Sequence, residues 1–272
     1  MLKCIIMGVQ PEKGEKRKML KDLQKASVWK RASAYLFDMI ITVMLAVGLA
    51  ALISLISGYD GYNDRLTSCY DAYELKYGVD FDITEEEYLK LTEDELENYK
   101  AASEAVSKDK EVIGLYNIVV NLILMMTSIS ILLAYTVTEF IIPLIFKNGQ
   151  TLGKKIFGIS VMRVDGVKIS TMLLFIRTYL GKYTVETMIP VLLAIMIFFG
   201  TMGATGTLVI ILIGLLQVVL IIVTKTNSAI HDSISQTVVV DHASQRIFNS
   251  PEEMIAYKKA VHLEEVIRKD YP

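Results

Sequence analysis

The chain has 272 residues, 53% of them hydrophobic, with 28 Lys and Arg against 30 Asp and Glu and two cysteines. Near-balanced charge argues against a generally basic nucleic-acid binder, and two cysteines exclude a disulfide-stapled scaffold. The apolar residues come in uncharged blocks, at 39–57, 112–138 and 187–224, instead of being spread periodically as in a soluble core. An uncharged run of about 18 or more residues is long enough to cross a hydrocarbon layer of about 30 Å as a helix.

In chain order, residues 1–33 form a polar, basic segment with no cleavage pattern, so no removable signal is expected. A first span follows at 34–57. Residues 58–111 are an acidic loop, with sixteen acids against six bases. In that loop "TEEE" (Thr84–Glu87) and "TEDE" (Thr92–Glu95) each read as a capping box opening a helix, which predicts a small helical insertion. "GYDGYND" (58–64) lacks the ligand spacing of a calcium loop. The solvated acidic cap remains one reading of the loop and a surface for a protein partner the other.

The second span and its extension cover 112–146. The crossing is placed at 112–137, and "EFIIPLIF", with Glu139 and Pro143, is read as an interfacial or tilted continuation. A basic connector occupies 147–184. The 38-residue apolar block 187–224 would make a rod of about 57 Å, too long for one crossing. Its "GTMGATG" centre predicts a hairpin between spans at 185–202 and 206–224. The tail 225–272 carries a helix signal, with Ser250 as cap, Pro251 in the first position and Glu253 closing a capping box.

Charge bias orients the spans. Residues 1–31 hold nine Lys/Arg against three acids, and 147–183 hold seven against Asp165 alone. Both basic segments, and both termini, are therefore expected in the cytoplasm, with 58–111 outside and the chain in the cell membrane. Cys4 and Cys69 then lie on opposite sides and are not expected to pair. In the connector "GISVMRVDGVKIS" alternates in part around a Asp165-Gly166 turn signal, and "QTVVV" offers another strand. The fold class expected is an all-α polytopic membrane protein with four transmembrane helices, an extracellular helical insertion and a short cytoplasmic β element.

Three segments together resemble the RDD family of bacterial membrane proteins. They are Arg31 with "ASAYLFD"; "GQTLGKKIFGISVMRVDG" (149–166) followed by Arg177; and "IHDSISQTVVV" (230–240). The resemblance implies that Arg31, Asp38 and Asp232 are the residues that name the family. It also matches Gly149, Thr151, Gly153 and Lys154 to the family's Gly-x-Thr-x-Gly-Lys pattern. The last segment departs from the pattern, because Gln236 precedes Thr237 where the family has glycine, so a different turn is expected there. Some members have been proposed as transporters, including cation/proton antiporters.

Arg31 and Asp38 lie about 10 Å apart along one helix, too far to pair as an i, i+4 couple. Arg31 can reach the headgroups, and Asp38 needs a partner, a proton or a cation. Asp232, just past the fourth span, is placed near Arg31. The triad reads either as a staple between spans one and four or as a proton or cation site. Glu139 lies at the depth of Asp38, and two carboxylates at one depth suit proton-for-cation exchange. Asn117, Asn121 and Gln217 are candidates for bridging helices, and Glu186 is read as interfacial.

Enzymatic chemistry has little support. "GQTLGKK" is one residue short of a phosphate loop and lacks its Ser/Thr. His231, His242 and His262 lack metal-ligand spacing. No cofactor is called for. The partners expected are the bilayer, further copies of the chain because four spans are few for a path, and a protein partner. The two functions in contention are a small proton-coupled transporter of a cation or small solute and a non-catalytic scaffold or accessory subunit.

Overall fold

A computed structural model describes residues 23–224 and 226–270; most of the basic segment 1–33, Cys4 included, lies outside them. Four helices are long and apolar enough to cross a membrane: Val28–Ser57, Lys110–Phe146, Thr171–Phe198 and Ala204–Val223. Their outward residues, such as Leu55, Leu212 and Val223, are apolar and exposed. Such surfaces call for lipid around them, and a helix satisfies its backbone groups internally. The chain is a polytopic, mostly helical membrane protein with one small two-stranded sheet. It divides into two compact units, one of residues up to Met44 with Leu132 onward, the other Leu45–Ile131.

Within Leu45–Ile131 both expected capping boxes form, opening helices Glu85–Tyr88 and Glu93–Lys108. In each, the threonine hydroxyl accepts from the backbone of the glutamate, whose carboxylate accepts from the threonine N–H at 2.8 Å. A further helix, Tyr59–Tyr77, precedes them, bounded by Gly58 and Gly78 in the left-handed region. Its Leu66 packs against Val112, Leu115 and Val119. One side of the first turns of the second span therefore packs on this helix. The helix Lys110–Phe146 is about 55 Å at its length.

In the other unit two prolines shape the spans. Proline has no N–H to donate and clashes with the carbonyl four residues earlier, at Glu139 for Pro143 and at Glu186 for Pro190. Each proline follows a π-helical stretch, Thr136–Ile141 and Ile176–Met188. The wider i→i+5 turn lets the helix continue past the defect, and such turns recur at functional sites. "EFIIPLIF" is thus the continuous end of the second span and no separate interfacial piece. The freed Glu139 carbonyl accepts from Thr178 Oγ1 at 2.8 Å.

The third span begins at Thr171, capped by Ser170, fourteen residues before the expected start at 185. The expected start rests on the uncharged run at 187–224, whereas the helix extends back through charged residues that are paired within the protein. At α-helical spacing Arg177 would lie across the helix from Lys182 and Glu186, but at about 4.4 residues per π turn all three share one face. The hairpin before the fourth span falls at 199–203, where Gly200 takes φ 67°.

Strands β1 (Ile159–Arg163) and β2 (Thr237–Asp241) pair antiparallel, Ile159 opposite Asp241 and Arg163 opposite Thr237. The Asp165-Gly166 turn forms, with Arg163 N–H donating to Val167 O at 2.9 Å. Ala26 N–H donates to Val239 O at 3.3 Å, placing the chain before the first span beside β2. In the tail helix, Pro251–Asp270, Ser250 accepts from Glu253 N–H as expected, but the Glu253 carboxylate reaches past it to Asn249 N–H.

Two glycines allow backbones to meet. A Cβ on Gly153 would sit 2.4 Å from Ala34 O, and one on Gly181 2.6 Å from His231 Cβ. G153A is expected to destabilise by about 1–3 kcal/mol through overpacking. G48A, in open space on a helix, should be neutral or slightly stabilising. Thermal unfolding of the detergent-solubilised chain checks both.

Candidate functional site

Asp232 is the most enclosed acidic group among the described residues, with no solvent exposure. It sits in the short helix Ile230–Ile234, where its Oδ2 accepts weakly from Ala229 N–H at 3.4 Å. Arg177, itself 1% exposed, donates to Oδ1 from Nη2 at 2.8 Å and from Nε at 3.2 Å. Arg31 donates to Oδ2 at 3.0 Å, and its other amine to the Asn227 carbonyl. Thr237 Oγ1 donates to Oδ1 at 3.3 Å. Burial alone would raise the Asp232 carboxyl, but His231, Arg177 and Arg31 hold it far below the ordinary carboxylate range. The expected approach of Arg31 to Asp232 is present. Arg31 turns inward for it and does not reach for headgroups.

Asp38 does not join this clamp. Its Oδ1 accepts from Gly153 N–H at 2.7 Å and its Oδ2 from the Thr151 hydroxyl. Thr151 also caps the short helix Leu152–Ile156, accepting from Lys154 N–H. The Gly-x-Thr-x-Gly-Lys segment is therefore a docking piece. Thr151 and Gly153 grip the first span at Asp38, while Gly149, at φ 61°, packs against Ile169 and Val161.

The same segment delivers Lys154 into a second charged group. Lys154 Nζ lies 3.3 Å from Thr151 Oγ1 and 3.6 Å from Glu139 Oε2. Lys182 Nζ donates to Glu139 Oε1. Glu139 Oε2 is buried and has no hydrogen-bond partner. All four residues are less than 8% exposed. Burial is the largest influence on Lys154; Glu139 opposes it and the neighbouring Lys182 and Arg177 reinforce it, leaving the ammonium down at about 7. A hydroxyl pair, Thr42 and Thr138 at 3.0 Å, lines the same depth between the first two spans.

Four residues that matter here were not singled out as ligands by the sequence: Lys182, Glu186, His231 and Thr178. Glu186, read from the sequence as interfacial, has a partner within the protein: it accepts from His231 N–H at 2.9 Å and meets the ring Nδ1 at 2.8 Å. The signal that could have found it is the repeated Glu-x-x-x-Pro, at 139–143 and 186–190. Gln217 bridges as expected, but to backbone, accepting from Ile230 N–H at 3.0 Å. Asn117 and Asn121 take no part in the cluster and are exposed on the second span in the other compact unit.

The class of protein these features define is a polytopic membrane protein with a buried, charge-balanced cluster at the ends of its spans. A match to the RDD family runs over residues 25–236, and the chain belongs to that family. Searches of curated proteins and of solved structures found no match.

Gln236 adopts φ 51°, a left-handed conformation that costs a side-chain-bearing residue about 1–2 kcal/mol and that glycine takes freely. Q236G is therefore expected to raise thermal stability by about 1 kcal/mol. D232N should cost about 3–5 kcal/mol, since it leaves two arginines buried with half their partner gone. The same unfolding measurement, with monodispersity after detergent extraction, checks these two.

Proposed function

We propose that this protein is a small proton-coupled exchanger of monovalent cations in the cell membrane, working on Asp38, Thr151, Lys154 and Glu139. The observation that carries this reading is the contact of Lys154 with the unpartnered Oε2 of Glu139. With Lys154 protonated, two carboxylates, Asp38 and Glu139, face two ammonium groups, Lys154 and Lys182, and the charges cancel. Loss of the Lys154 proton leaves one net negative charge beside buried oxygens of Asp38, Thr151 and Glu139. A monovalent cation restores the balance, so one cation replaces one proton. A buried charge is tolerated only when compensated, which makes the two occupants exclusive.

The Asp232 clamp takes the other role considered for the triad. Its carboxylate has donors on both oxygens and is held ionised, so it staples spans one and three to the segment after span four. Charge bias supports the orientation with both termini in the cytoplasm and the acidic insertion outside. Four spans are few to enclose a path, which favours an oligomer of the chain. The role is one of transport, with no enzymatic step.

The sign of the pH effect follows from the Lys154 amine. Below about pH 7 it is protonated and holds the site against a cation; above it the amine is neutral and the site opens. Apparent cation affinity should fall about tenfold for each pH unit below 7, as simple competition requires. Sodium or potassium flux in proteoliposomes under an imposed pH gradient checks this. D38N should lose flux, and K154Q should lose the pH dependence. Flux unchanged in D38N ends this version, and no flux under any gradient returns the protein to the accessory-subunit reading, with its acidic insertion and tails as contact surfaces.

A further inference from the structure

A cavity of about 130 Å³ lies where the end of the second span meets the start of the third, apart from the charged cluster. Pro143, Leu144 and Leu174 wall one side, and Lys147, Lys168 and Thr171 supply the polar side. Lys147, exposed, and Lys168, half-buried, both border this small cavity, and two cations at one site favour an anion there. Asp165, the one acid between 147 and 183, is taken by Arg163 at 2.6 Å. Among the described residues neither lysine has a carboxylate within ion-pair distance. The lysines lie on segments held in place independently. Lys147 takes φ 64° directly after the second span, and Lys168 is fixed by its backbone N–H donating to Phe248 O at 2.8 Å.

We infer that this cavity binds a phosphate group, that of an anionic phospholipid at the basic ends of the spans. Lysine is a compact point charge suited to phosphate, and the Thr171 hydroxyl adds a neutral donor. The cavity itself has room for a tetrahedral oxyanion. Around it Ile145, Met172 and Phe175 are exposed apolar side chains next in sequence to the lining residues. In a membrane protein that surface meets acyl chains, so a headgroup in the cavity leaves its tails where lipid already lies. A free phosphate shares the headgroup chemistry but makes no use of the apolar rim. The site is separate from the exchange cluster and stands or falls independently of it.

The test uses the full chain, purified and delipidated in mild detergent, then offered phosphatidylglycerol, phosphatidylcholine or inorganic phosphate. Bound lipid is read by native mass spectrometry and stabilisation by thermal shift. Wild type should retain phosphatidylglycerol over phosphatidylcholine. The double variant K147Q/K168Q should lose roughly 25-fold in that retention, the scale of two basic groups at an anionic headgroup. K147R/K168R should restore most of it. K258Q/K259Q, which removes the same charge from the tail helix, should change nothing. Stabilisation by inorganic phosphate alone, lost in K147Q/K168Q, would keep the phosphate site and replace the lipid as its source. Equal retention of both lipids, or equal loss in the tail variant, overturns the proposal. A K147Q/K168Q protein that melts like wild type without lipid yet binds phosphatidylglycerol as well overturns it equally.

Discussion

A carboxylate shut away from water stays ionised only if the protein surrounds it with compensating charge and hydrogen-bond donors. Asp232 meets that demand from four places in the chain: Arg31 at the first span, Arg177 in the third, the Ala229 N–H of its own helix and Thr237 at the start of β2. None of these segments can move away without leaving a buried charge unpaired. The cost of breaking such a contact, several kcal/mol, is comparable to the whole net stability of an ordinary domain. The rest of the unit inherits its geometry from this constraint. Fixing Asp232 fixes His231, whose backbone and ring hold Glu186, and the near contact of Gly181 with His231 sets how closely the third span can approach.

The second charged group depends on a different device. Glu139 sits at depth because Pro143 breaks the ladder there and a π turn carries the helix across the break. Without that turn the carbonyl of Glu139 would clash with the proline ring. With it, the carbonyl is free to receive Thr178 and the side chain faces Lys154 and Lys182. The third span repeats the arrangement with Glu186 and Pro190. In both, a helical defect that would normally weaken a span accompanies an acid turned toward a neighbour able to satisfy it, and in the second span the freed carbonyl is satisfied as well.

Much of this was legible in the sequence. Uncharged runs gave the four crossings, because nothing but a bilayer asks for them. Thr84, Thr92 and Ser250 announced their helices through side-chain chemistry that acts within four residues. Arg31 and Asp232 could be placed together because the spans bring their ends to one face. What the sequence hid lay in its charged stretches. Arg177 and Lys182 read as connector charges because they precede the uncharged run that marks the third span, and the i→i+5 turn that carries the helix through them leaves no mark in an apolar pattern. Asp38 looked short of a partner because Thr151 and the Gly153 N–H, from a segment more than a hundred residues away, are ordinary groups with no charge to advertise. Asn117 and Asn121 read as helix bridges because an apolar run does not reveal which face of the helix its neighbours cover, and both are exposed.

The two charged groups differ in one respect, on which the proposed exchange rests. Around Asp232 both oxygens have donors, and two of the opposing groups are arginines, which keep their protons at any physiological pH, with the His231 ring beside them. Around Glu139 one oxygen lacks a donor, and the cation nearest that oxygen is Lys154, whose proton burial can loosen. Lys154 is carried by the five-residue helix whose Thr151 and Gly153 grip Asp38, which ties its charge to the first span. The proposed exchange uses both groups, the Asp232 clamp as a fixed frame and Lys154 as the group whose charge changes.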